Sequence, residues 1–198
     1  MAPRRSHARF DPLPLELAPA LRARRHRLAD LAEGRVLDLG GWSDHLDHYH
    51  ADRVTSLVLI GATPARADLA PVPVETRDLD LVDLVADEAG AFDTVVSLIR
   101  TPLVADLEGW LALVDRVLAP EGRFLFCEPT RRPGRTGRLL AAFAPLVRAT
   151  AGLHLDRDVP AAVRAAGFTI TDLDRFEVPT VSAPLRPFVE GRARRRHR

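Results

Sequence analysis

The sequence predicts an α/β fold, a mostly parallel sheet with helices on both faces, from three observations. Short β-type runs alternate with segments of helical period, the pattern of strands joined by helical crossovers. Val36-Leu37-Asp38-Leu39-Gly40-Gly41-Trp42-Ser43-Asp44 reads as a buried strand that ends in a glycine turn and opens a helix. Two closing β-type runs, at Phe168-Thr169-Ile170 and Phe188–Ala193, are separated by a loop whose length favours antiparallel pairing, because a parallel return needs a crossover of a dozen or more residues.

Taken in order, the strand candidates are Arg35–Leu39, Val54–Ile60, Val72–Arg77, Phe92–Leu98 and Arg123–Glu128. Upstream of them, Leu17, Leu21, Leu28 and Leu31 suggest a helix packed near the first strand, with an arginine-rich face left exposed. The clearest helix is Ala105–Leu118. Leu107, Trp110, Leu111, Val114, Val117 and Leu118 fall on one stripe, and Asp106, Glu108 and Asp115 lie on the other face. Trp110 is expected in the core. Ala119-Pro120-Glu121-Gly122 stops that helix and turns the chain into the fifth strand. After it come the loop Thr130–Gly137, a helix through Val147, and a second helix near Val159–Ala166. The sixth strand follows, then a stretch broken by Pro179, Pro184 and Pro187 before the last strand.

A chain of 198 residues is ample for one core and short for two. The expected organisation is an arginine-rich helical segment over 1–33, one domain over 34–195, and a basic tail over 192–198. Apolar runs fall short of a membrane span, and Met1-Ala2-Pro3-Arg4-Arg5 is followed by no apolar stretch, so neither a membrane anchor nor a signal peptide is expected. The lone Cys127 excludes an internal disulfide and points to the reducing cytoplasm, with the thiol buried and inert after Phe124-Leu125-Phe126. All 28 basic residues are arginine, the net charge is +1, and the arginines concentrate at the two ends. No Phe, Tyr or Trp is interleaved with the arginines of the tail Arg192–Arg198 to stack on bases, so a nucleic-acid partner is not expected.

The polar run Asp44-His45-Leu46-Asp47-His48-Tyr49-His50-Ala51-Asp52 places His45 and His48 at i, i+3, with Asp44 beside them. It lacks a His-Glu-x-x-His pattern and paired cysteines, so a solvated polar helix and no metal is the expectation. A nicotinamide site is disfavoured too, since the turn lacks both the final glycine and a downstream ribose acid.

Three passages together resemble the class I S-adenosylmethionine-dependent methyltransferases of small-molecule type, over about residues 30 to 195. They are Gly34–Gly40; Phe92–Ser97 with the amphipathic helix and Arg116–Phe126; and Ala165-Ala166-Gly167-Phe168 with Pro187–Ala193. The resemblance implies a Rossmann-like seven-stranded, mostly parallel sheet with an antiparallel last strand, S-adenosylmethionine as cofactor and a small-molecule substrate. It implies that Asp38 supports the glycine loop and cofactor, and that Gly40 allows the tight turn before Gly41. The second glycine position carries Trp42 and the third Asp44, where a side chain obstructs close backbone approach and a carboxylate repels the methionine carboxylate. The acid that binds the ribose hydroxyls aligns with Gly61, and the adenine-contacting acid with Asp78 or Asp80. By fold analogy Glu128, His45 and His48 lie near the pocket mouth as candidate bases, and Arg100 and the Arg131–Arg135 loop as anion-holding groups. Two functions stay open: methyl transfer with a remodelled cofactor site, or a non-catalytic methyltransferase-fold partner or ligand-binding protein.

Overall fold

The computed structural model describes residues 19–39, 43–60, 70–77, 81–132, 134, 152–179 and 186–196; the side chains of 19, 20 and 43–45 are outside that description. Its elements are α1 (Pro19–Asp30), β1 (Gly34–Asp38), a 3-10 helix (Ser43–His48), β2 (Val54–Ile60), β3 (Val74–Arg77), α2 (Leu81–Asp87) and β4 (Phe92–Leu98). A 3-10 turn (Thr101–Leu103), α3 (Leu107–Val117), β5 (Leu118–Pro129), α4 (Val159–Ala165), β6 (Phe168–Glu177) and β7 (Pro187–Arg195) complete them. The strand order is β3-β2-β1-β4-β5-β7-β6. Strands β1 to β5 pair in parallel, and β7 runs antiparallel to both β5 and β6, so six strands share one direction.

Alternation along the strands sorts the core into two faces. On one, Leu37, Val58, Val95, Phe124 and Phe126 pack under Leu84 of α2, Leu111, Val114 and Val117 of α3, and Val163 of α4. On the other, Val36, Leu57, Leu59, Val96, Leu125 and Cys127 pack under Leu21 and Leu28 of α1 and Leu46 and Tyr49 beside the first 3-10 helix. Gly191 sits where β7 passes the Phe126 ring; a Cβ there would stand 2.4 Å from Phe126 Cζ, so only glycine fits.

The ends of elements shift for local reasons. Helix α3 starts at Leu107 because Asp106, expected on its outer face, is the N-cap: its Oδ1 accepts from the Gly109 amide at 3.0 Å. Strand β5 begins at Leu118, which pairs with Phe92; the expected stop at Ala119–Gly122 is an insertion, after which pairing resumes at Arg123 opposite Thr94. Pro187 opens β7 opposite Glu177 instead of breaking the chain before it. Trp110 is half-buried, edge-on to Phe124 with ring centroids 6.3 Å apart. The helix through Val147 lies outside the described residues.

Two expectations are corrected. The turn after β1 opens a six-residue 3-10 helix, Ser43–His48, since Ser, Asp and His compete for local hydrogen bonds and propagate an α-helix poorly. The arginine face of α1 is docked in part: Arg22 and Arg27 are exposed as expected, but Arg24 and Arg25 are not. Arg24 pairs with Asp174 and, at 3.0 Å, with Glu190, lies 4.3 Å over the Phe176 ring, and Arg27 reaches Glu190 at 3.2 Å. Glu190 is nearly buried, and Arg25 is too. Much of the basic C-terminus is likewise inside β7: Arg192 faces Asp172 at 3.7 Å, and Arg195 forks onto Asp115 at 2.9 and 3.2 Å.

Candidate functional site

The strand order reverses between β1 and β4, and such sheets bind ligands in the crevice beyond the carboxyl ends at that switch point. Asp38 closes β1 there, directly beside Val96 of β4, and has no exposed surface. The Tyr49 hydroxyl donates to Asp38 Oδ2 at 3.0 Å. Burial, reinforced by the neighbouring carboxylate, pushes the Tyr49 phenol well up, so it remains a donor at neutral pH. Tyr49 is the only tyrosine of the chain, in register with the buried Leu46 three residues before it. That pairing of a lone aromatic with an apolar residue inside a polar run was the available clue to it.

One strand beyond β4, Glu128 near the end of β5 is also fully buried. Its carboxylate accepts four hydrogen bonds, all from one stretch of chain. Oε1 takes Ser97 Oγ at 2.6 Å and the Arg100 amide at 3.0 Å; Oε2 takes the Thr101 amide at 3.0 Å and Thr101 Oγ1 at 2.9 Å. Burial pushes this carboxyl up, while the four donors pull against it. The amides converge because Ile99 has φ = 53°, the sole positive φ of a non-glycine among the described residues. The Ile99 amide still bonds to Cys127 O at 3.1 Å, so the bend follows immediately on the ladder.

A second segment is strapped over this bend. Arg157 donates from Nη1 to Thr101 O at 2.6 Å and from Nη2 to Ala105 O at 2.9 Å, and the His154 amide reaches Pro102 O at 2.8 Å. The Arg131 amide bonds Arg157 O at 2.7 Å, and Asp158 caps α4 through the Ala161 amide at 3.1 Å. Sequence reasoning missed Ser97, Thr101 and Arg157, since a hydroxyl or guanidinium whose partner is main chain leaves no spacing pattern.

Other expected site residues separate. His48 stacks on His26 of α1 with centroids 3.5 Å apart, and His50 meets Asp30 at 3.0 Å, so this polar run faces α1. Among the described residues no group of three His, Cys, Asp or Glu side chains is placed to hold a metal. Cys127 is buried, and burial pushes its thiol well up. Gly40, Gly41, Trp42, Gly61, Asp78 and Asp80 lie outside the described residues, as does the His45 side chain.

A sheet of this order with β7 reversed, and a buried carboxylate ending β1 at the switch point, defines the methyltransferase class of Rossmann-like folds. The chain belongs to the methyltransferase-domain family, whose sequence profile matches residues 15–173. Among solved structures it is similar to a Bacillus halodurans C-125 protein assigned to the methyltransferases, at 16% identity and TM-score 0.67, covering 88% of this chain and 100% of that one. It is also similar to the 1,6-didemethyltoxoflavin N1-methyltransferase of Burkholderia thailandensis, solved with its substrate and S-adenosylhomocysteine (22% identity, TM-score 0.58, 90% and 79% covered). A third likeness is to the [4+2]-cyclase SpnF (18%, 0.63, 86% and 80%). At these identities the likeness is one of fold. No curated protein matches the sequence.

Proposed function

We propose that the protein is an S-adenosylmethionine-dependent methyltransferase acting on a small molecule, with a remodelled cofactor site. The observation that carries this reading is Asp38, buried at the switch point with its carboxylate oriented by Tyr49. Family membership and the small-molecule methyltransferase among the structural neighbours support it.

The residues fit the cofactor in part. Asp38 and the turn at Gly40 and Gly41 are the groups proposed to hold its methionine end, and Asp78 its adenine. At Gly61 no carboxylate is available for the ribose. Losing one charge-assisted hydrogen bond costs about 1.5–3 kcal/mol, or roughly ten- to a hundredfold in affinity. Trp42 is proposed to lie over the crevice and weaken binding further. S-adenosylmethionine, when bound, supplies a methyl group already activated on its sulfonium. The chain then needs to align an acceptor and keep water out; a base is optional. His45, after the glycine turn, is the proposed proton acceptor, because both oxygens of Glu128 are already engaged by the chain itself and His48 is stacked on His26 of α1. Arg100 and the Arg131–Arg135 loop are proposed to hold an acidic substrate.

A second reading, a non-catalytic methyltransferase-fold partner or ligand-binding protein, is favoured by the residues at Trp42 and Gly61 and by the cyclase that shares the fold. Calorimetric titration with S-adenosylmethionine decides between them. Saturable binding in the micromolar range supports the first; no heat at millimolar cofactor supports the second. No helix among the described residues is long and apolar enough to cross a membrane. A reducing, cytoplasmic compartment is proposed from the lone cysteine.

A further inference from the structure

We infer that Glu128 is a positioning residue: its carboxylate locks the bend Ile99–Thr101 into the shape that forms one wall of the ligand crevice. The inference rests on the methyltransferase reading only for the identity of that ligand.

Three observations carry it. First, all four donors to Glu128 come from residues 97–101, and both oxygens are used twice, so the carboxylate binds one short stretch of chain. Second, that stretch contains Ile99 at φ = 53°, a conformation that is unfavourable for a β-branched residue and persists only where its surroundings over-determine it. Two main-chain amides and two hydroxyls on a buried carboxylate are the force that holds it. Third, the bend flanks the crevice. Val96 pairs with Asp38, the Leu39 amide bonds to Val96 O at 2.9 Å, and Ile99 stands three residues further along the same strand direction, about 10 Å away.

The lock also reaches the next wall. Thr101, held by its amide and hydroxyl, offers its carbonyl to Arg157, and Arg157 O in turn anchors the Arg131 amide. Release of Glu128 therefore frees the bend first and the strap 152–158 behind it. A proton acceptor at this place would need an oxygen open to the acceptor molecule; here the chain occupies both.

The test joins Glu128→Gln with Ile99→Gly. Glutamine keeps the shape but sets an NH2 against two of the four donors. S-adenosylhomocysteine affinity is expected to fall about tenfold in Glu128→Gln. Adding Ile99→Gly, which makes the left-handed bend free of steric cost, is expected to restore part of it, even though the buried Ile99 side chain is lost from the core. A generally weakened fold would not be repaired by a glycine at that one position. Unchanged affinity in Glu128→Gln, or no rescue by Ile99→Gly, overturns the inference. Amide hydrogen exchange at Arg100 and Thr101 gives a readout that needs no ligand: it should speed up at least tenfold in Glu128→Gln, and unchanged exchange overturns the lock. If wild type binds no S-adenosylhomocysteine, the methyltransferase reading fails and the exchange result alone decides this inference. Should Glu128→Gln not fold, Ser97→Ala with Thr101→Val removes the two hydroxyl donors from the other side and is read the same way.

Discussion

The two faces of the sheet are built by different means. Under α2, α3 and α4 the contacts are those of an ordinary apolar core, with Phe124 touching the rings of Trp110, Phe126 and Phe168. Under α1 the apolar patch continues into an ionic one, where Arg24 and Arg27 lie on Asp172, Asp174 and Glu190. This is also the face onto which the glycine turn leads, and there the expected helix is reduced to Ser43–His48. The short 3-10 helix and the ionic patch thus share one face, and the other carries the apolar contacts of α2, α3 and α4.

The largest expected difference between the faces is in cavity cost. Phe124→Ala should lower unfolding free energy by about 3–5 kcal/mol, because the fully buried ring is surrounded by aromatic neighbours that collapse poorly. Chemical denaturation measures it, and a loss below about 1 kcal/mol would show that this face is not a packed core.

On the opposite face, Arg24→Ala should cost about 2 kcal/mol, the size of lost hydrogen bonds to charged groups. Arg27, still on Glu190, limits the damage. The distinguishing mark is salt. Raising ionic strength to about 0.5 M should narrow the gap between wild type and Arg24→Ala, since partly exposed pairs are screened, and leave the Phe124→Ala gap unchanged. Equal salt response in both would erase the contrast.

A smaller contrast is in pH, between two glutamates of opposite sign. Burial raises the Glu88 carboxyl, but hydrogen bonds from Arg35 and Arg77 outweigh it and hold the group below the usual glutamate value. Its contribution to stability is therefore complete above that usual value and is lost as pH falls through the depressed one. Glu128 is raised, mainly by burial, so the folded state holds its proton more tightly and stability declines as pH climbs from the usual value through the raised one. Glu128→Gln should remove the decline on the upper side, and Glu88→Gln the loss on the acid side. Stability curves in which neither variant changes slope would contradict both assignments.

How much of this the sequence made visible depends on the kind of interaction. Alternation and helical period marked Val54–Ile60 and Phe92–Leu98 to the residue, because burial of every second or every third to fourth side chain is written directly in composition. Asp38 was legible because a carboxylate between a buried strand and a glycine is conspicuous. The docked arginines of α1 were not, since their partners lie some 150 residues away in β6 and β7, as in Arg24 and Asp174. The lock on Glu128 was hidden for a related reason: two of its donors are main-chain amides, which every residue carries. Ile99 at a positive φ contradicts the preference of its own side chain, and such a conflict becomes readable only when the partner that enforces it is seen.

The protein has kept the sheet of its family, and its cofactor side is proposed to be remodelled. The most direct test is calorimetric affinity for S-adenosylmethionine in wild type and in the double variant Trp42→Gly with Gly61→Asp. Restoring the glycine and the ribose acid should tighten binding by at least tenfold over a weak wild type. Unaltered affinity in the double variant, or a wild type that binds tightly and is weakened by the two changes, would contradict it.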